Sequence, residues 1–123
     1  MTILYVAAGG AFGASMRYLV GVISGRLFGF GFPWGTFACN VIGCFAMGVL
    51  IELMATRWTV HNDLRAFLTV GLLGGFTTFS SFSADFAFLY ERHQTFQAVG
   101  YVLGTVGVAL IAVFAGMMLV RSL

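Results

Sequence analysis

Hydroxyl groups crowd into one apolar stretch of this chain, which reads Gly71-Leu72-Leu73-Gly74-Gly75-Phe76-Thr77-Thr78-Phe79-Ser80-Ser81-Phe82-Ser83. Five serines and threonines within seven positions are more than a lipid-facing helix has reason to collect. Their side chains can bond to loosened backbone in place of the regular helical ladder. Gly74 and Gly75 weaken the helix beside them, at about 1 kcal/mol each relative to alanine. Phe79 and Phe82 are three apart and share a face on any near-helical path. Irregular backbone at membrane depth survives only where protein buries it or water reaches it. These residue types, in this order, predict a helix broken halfway so as to build an ion site.

Other groups fit the same chemistry. Asn40 places a full amide in an apolar run and shares a face with Thr36. Such an amide needs partners, either another helix or an anion passing its NH₂. Tyr101 and Thr105 align two hydroxyls on a later helix, with Ala109 one turn further on. They form a polar track, unless the threonine only bonds back to its own helix. Arg17 lies inside the first apolar run, where it either snorkels to the interface or stands at an aqueous vestibule and draws anions in.

The elements that hold these groups follow from composition. The chain has 123 residues, 60% hydrophobic and 8% charged, with a mean hydropathy of +1.00. A helix that crosses a bilayer takes about 20 apolar residues, so the length suits four spans and leaves no room for a soluble catalytic domain. They are expected at about 3–28, 34–55, 64–90 and 96–120, in a single transmembrane domain covering 1–123. The start of the chain lacks a basic segment and reads as a retained span. Gly9 with Gly13, and Gly10 with Ala14, allow close approach of a neighbouring helix. Pro33 suits the first turn of the second span, and Glu52 is expected to reach the interface. Trp58 fits the headgroup layer; Asn62 or Asp63, and later Thr95, are expected as helix caps.

Several functions are excluded or weakened at once. Cys39 and Cys44 point different ways around one helix and neither bridge nor frame a metal. Six arginines, no lysines and a net charge of +2 give no basic cluster for nucleic acid. His61 and His93 stand in linkers without a nucleophile or acid pair, so no enzyme is expected. Arg57, Arg65 and Arg121 lie on one membrane side, Arg26 and Arg92 on the other. So shallow a positive bias lets the chain insert both ways up, and four thin helices enclose a pore poorly without a second copy.

Three segments together carry a resemblance: Gly9-Gly10-x-x-Gly13-Ala14-x-x-Arg17-Tyr18, then Trp34-Gly35-Thr36-x-x-x-Asn40-x-x-Gly43, then the hydroxyl-rich stretch from Gly71 to Ser83. Over its whole length the chain resembles the Fluc/CrcB fluoride channels. The resemblance implies an all-α membrane protein of four transmembrane helices, broken in the third, assembled as an antiparallel dual-topology homodimer in the bacterial inner membrane. It implies passive export of toxic fluoride through two pores, and a structural sodium ion. Phe79 and Phe82 would line the pore beside Asn40, and Tyr101 and Thr105 would continue the track. Thr36 and Ser81 would add hydroxyls to the path, and Arg17 would stand at its vestibule. Gly74 and Thr77 would offer backbone carbonyls to the sodium. The chain departs from the family pattern at Asp85, where glutamate is usual, and at Ala109, where serine is common. Two other readings compete. A small proton-coupled multidrug exporter needs a carboxylate, typically in the first span, and that span has none. A non-transporting membrane assembly subunit would explain the small-residue packing but not the break.

Overall fold

The computed structural model describes residues Met1–Leu123 and is entirely helical. Helix α1 spans Thr2–Phe28 and α2 spans Trp34–Thr56. The third span, Asn62–Glu91, is composite. It opens as α3 (Asn62–Ala66), widens into a π-helical segment (Phe67–Leu73), closes as the single turn α4 (Gly74–Phe76), and resumes after a gap as α5 (Ser80–Glu91). Helix α6 covers Thr95–Arg121. All four spans are long and apolar enough to cross a membrane.

Two pairings organise them. Helix α1 lies on the π-helical segment and α4, whereas α2 lies mainly on α6, with α5 joining α6 further along. Both pairings depend on missing side chains. A Cβ on Gly13 would press on the Leu72 carbonyl and lie 2.8 Å from the Phe76 nitrogen. A Cβ on Gly75 would lie 2.9 Å from the Gly10 carbonyl and 3.2 Å from the Ala14 nitrogen. The repeated small residues of α1 thus let two backbones touch, which is how helices associate where lipid removes the hydrophobic drive. Gly48 and Gly116 do the same for α2 and α6.

The break falls three residues later than the glycines led one to expect. Gly74 is helical, with φ −62° and ψ −37°, and Gly75 belongs to the same turn. The ladder fails at Thr77, which turns to extended backbone at φ −85° and ψ 157°. Glycine is used here for close contact with α1; the hydroxyl residues supply the substitute bonds that make a break affordable. Widening at Phe67–Leu73 precedes it, in keeping with the tendency of π-helical turns to sit beside functional sites.

Local contacts give one expected residue its partner and correct two expectations. Glu52, expected at the interface, is 6% exposed and pairs with Arg121 at the end of α6. A buried carboxylate needs a charge or hydrogen-bond partner, and Arg121, itself 59% exposed in the last turn of α6, provides one. Neither Asn62 nor Asp63 caps the third span, since helix begins directly after His61; Asp63 instead accepts a 2.6 Å hydrogen bond from the Thr2 hydroxyl. Thr95 is the first residue of α6, preceded by Gln94, and makes no capping bond.

Candidate functional site

At the break the backbone is held by side chains from other helices. The Thr78 N–H donates to Asn40 Oδ1 at 2.8 Å, and Asn40 Nδ2 returns a bond to the Thr78 carbonyl at 3.1 Å. One amide therefore replaces two lost ladder bonds. From α1, Arg17 Nε donates to the Gly75 carbonyl at 3.0 Å. The Thr78 hydroxyl accepts from the Ser81 N–H at 3.1 Å, as a capping side chain would for α5. Thr77 bonds back to Leu73 through both its N–H and its hydroxyl, each at 2.9 Å. Gly43, one turn after Asn40, makes room for the Thr77 methyl.

The carbonyls of Gly74 and Thr77 accept none of the backbone bonds made outside the regular helices. Both are strong acceptors, and both flank a turn that cannot continue. No grouping of imidazole, thiol or carboxylate suited to a metal ion exists elsewhere. A hard cation held here would thus be held by neutral backbone oxygens, a donor type that hard cations favour.

The side chains nominated from the sequence fall into two sets. Asn40, Phe79, Phe82 and Thr105 line one open groove of about 320 Å³, together with Ala109 and Cys44. The rings of Phe79 and Phe82 lie 5.5 Å apart at 58°. They differ sharply in environment: Phe82 is 7% exposed and Phe79 is 77% exposed in the single chain. The hydroxyl of Thr105 is buried in the wall with no hydrogen-bond partner. Arg17, Thr36 and Ser81 line a separate, larger cavity of about 550 Å³.

Tyr101 lines neither cavity and packs behind Phe82 of the groove wall. Its ring packs 5.1 Å from Phe82 and edge-on to Phe32 at 5.4 Å. Its hydroxyl donates to Asp85 Oδ2 at 3.2 Å. That bond was not read from the sequence, although Asp85 was noted as a departure from the usual glutamate. Thr78 was also underestimated there; the signal was its position three residues before Ser81, the spacing of a side-chain cap. Cys39 and Cys44 are both free thiols.

Chemically, the groove offers an amide hydrogen, an unsatisfied hydroxyl and two aromatic rings, with no charged side chain lining it. Ring edges carry the positive side of the aromatic quadrupole. The larger cavity is cationic. Arg17 belongs to both structures, since it bonds the break and lines the cavity. Arg17→Ala is therefore expected to cost about 2 kcal/mol of stability, the scale of a charge-assisted bond, while Arg17→Lys recovers part of it. Thermal midpoints of the three proteins in detergent check this.

Residues 4–117 match the family described as CrcB-like protein, Camphor Resistance (CrcB). Among curated proteins, the chain is 50% identical over 123 residues to the fluoride-specific ion channel FluC of Agrobacterium fabrum, covering 100% of this chain and 98% of that one. It is 49% identical over 121 residues to the FluC of Chelativorans sp., covering 98% and 97% of the two chains. With the FluC of Rhodospirillum centenum it shares 52% over 120 residues, covering 98% and 95%.

Proposed function

The chain belongs to the CrcB-like family, and from that membership we infer a fluoride-selective ion channel of the bacterial plasma membrane, passing fluoride down its gradient and so out of cells that accumulate it. It is a multi-pass membrane protein and not an enzyme. The observation that carries the reading at residue level is the uncharged groove in which Asn40, Phe79, Phe82 and Thr105 meet beside a broken helix.

Fluoride is small and strongly hydrated, so a selective path must replace water with close neutral donors. The second hydrogen of Asn40 Nδ2 and the Thr105 hydroxyl are of that type. Phe79 and Phe82 present ring edges to the ion. Fluoride collects in the cavity of Arg17, Thr36 and Ser81, then passes Tyr101 and Phe82 into the groove. Neutral sites in series release the ion, whereas a row of cations would trap it.

The functional unit is an antiparallel homodimer with two pores. Support comes from Phe79, too apolar and too exposed in one chain to face an aqueous path unpartnered, and from the shallow arginine bias. A structural sodium ion would be held by the Gly74 and Thr77 carbonyls, which accept no backbone hydrogen bond, and its charge would favour anions nearby.

Proton-coupled export of organic cations has little to work with. Helix α1 has no acid, and three of the four carboxylates in the other spans are engaged, Glu52 by Arg121, Asp63 by Thr2 and Asp85 by Tyr101, while the fourth, Glu91, ends its helix. Purified protein in liposomes is expected to release fluoride when a voltage is allowed, without a proton gradient, and to hold back chloride. Proton-dependent cation transport with no fluoride current would overturn the reading. Phe82→Ile and Phe79→Ile are each expected to cut flux by about 10-fold or more, the loss of about 1.4 kcal/mol at one ion contact, with the dimer intact on gel filtration. Flux equal to the parent in both would remove the rings from the path.

A further inference from the structure

The cavity of about 550 Å³ on α1 is much larger than fluoride needs, given that a water molecule takes about 30 Å³ in the liquid. Its wall contains two guanidinium groups, Arg17 and Arg26, and the hydroxyls of Tyr18, Thr36 and Ser81, but no carboxylate. Neither arginine has an ionic partner, since the chain's one ion pair joins Arg121 to Glu52. Arg17 has already given its Nε to the Gly75 carbonyl. Arg26 bonds nothing in the chain, so its whole planar fork is free. The neighbouring acid, Asp85, accepts the Tyr101 hydroxyl and lines an adjoining cavity that shares Gly21, Phe30, Gly35 and Thr36 with this one.

We propose that this cavity is a binding site for a tetrahedral oxyanion of the phosphate class, gripped by Arg26 within the field of Arg17. A guanidinium fork matches two phosphate oxygens at once, which no monatomic halide can exploit. Nine residues separate the two arginines, about 13 Å along the helix, so the ion meets one fork fully and feels the other as charge. Thr36 and Ser81 add neutral donors. Free phosphate and a lipid phosphate both present this chemistry; exposed Tyr18 beside the cavity suits a headgroup entering from the bilayer. An occupant of that size cannot follow fluoride past Phe82, so it stays and slows entry. That consequence rests on the fluoride path proposed above; binding does not.

Two readouts keep those apart. The thermal midpoint of detergent-solubilised protein reports binding whether or not fluoride is conducted, and fluoride efflux from liposomes reports the consequence. Inorganic phosphate, titrated against chloride at equal ionic strength, is expected to raise the midpoint and slow efflux saturably. Phosphatidylglycerol added to phosphatidylcholine vesicles is expected to act likewise if the lipid is the source. In Arg26→Gln the half-effective concentration should rise at least 5-fold in whichever arm responds, with Arg26→Lys in between. A response to phosphate alone assigns the free ion; a response to phosphatidylglycerol alone assigns the headgroup. The same response in Arg26→Gln as in the parent, or none in either arm, overturns the site.

Discussion

Asn40→Asp is expected to lower fluoride flux by about 100-fold, and Asn40→Ala by less. Two losses combine in the aspartate variant. The side chain keeps its acceptor for the Thr78 N–H but loses the donor that now meets the Thr78 carbonyl at 3.1 Å. A buried carbonyl deprived of its donor costs about 1–3 kcal/mol, and here a carboxylate oxygen would face it. The second loss is electrostatic. Asn40 lines the groove with Phe79, Phe82 and Thr105, so a carboxylate there would oppose every anion that passes. At 4 Å and an effective dielectric near 20, two like charges repel by about 4 kcal/mol. Even after screening, that exceeds the roughly 2.7 kcal/mol that a 100-fold drop requires. Alanine removes both bonds and adds no charge, so the gap between the two variants measures the ion's own encounter with position 40. Equal flux in Asn40→Asp and the parent would confine Asn40 to holding the break.

Gly13→Val is expected to give the largest loss of stability of any single substitution on α1. The added Cβ would press on the Leu72 carbonyl and approach the Phe76 nitrogen at 2.8 Å. Both are backbone atoms, unable to rotate away as a side chain tip would. Overpacking against movable side chains costs about 1–3 kcal/mol; against fixed backbone the helices must part, and the cost should exceed about 3 kcal/mol. Parting α1 from α4 would also draw Arg17 off the Gly75 carbonyl, so flux should fall with stability. Gly104→Ala on α6 is the control, because a Cβ there meets nothing in its own chain. It is expected to leave the midpoint unchanged or raise it slightly through helix propensity. A Gly13→Val protein as stable as the parent would show that α1 and the third span have slack between them.

These two residues also mark how far the chain could be read in advance. Composition alone determines four apolar helices, because about 20 apolar residues can satisfy their backbone within a membrane in only one way. Spacing determines that α1 packs through Gly9, Gly13 and their neighbours, since small residues four apart form a surface whatever lies opposite. The order of hydroxyls after Gly75 determines that the third span breaks. Each of these properties is local: a short window of sequence contains its whole cause.

Three-dimensional packing decided the rest. Where the third span breaks depends on Asn40, 38 positions before Thr78 in the chain; the glycines nearby pointed three residues too early. Glu52 finds its partner in Arg121, 69 positions away. Tyr101 and Thr105 share a helix face, yet the tyrosine turns to Asp85 while the threonine lines the groove with Phe79. Nor could spacing tell that Arg17, Thr36 and Ser81 would share one cavity and Asn40, Phe82 and Thr105 another. A polar group buried in an apolar chain must find a partner, and the sequence determines that need. Which partner it finds is a matter of distance after folding, and only the packed helices settle it.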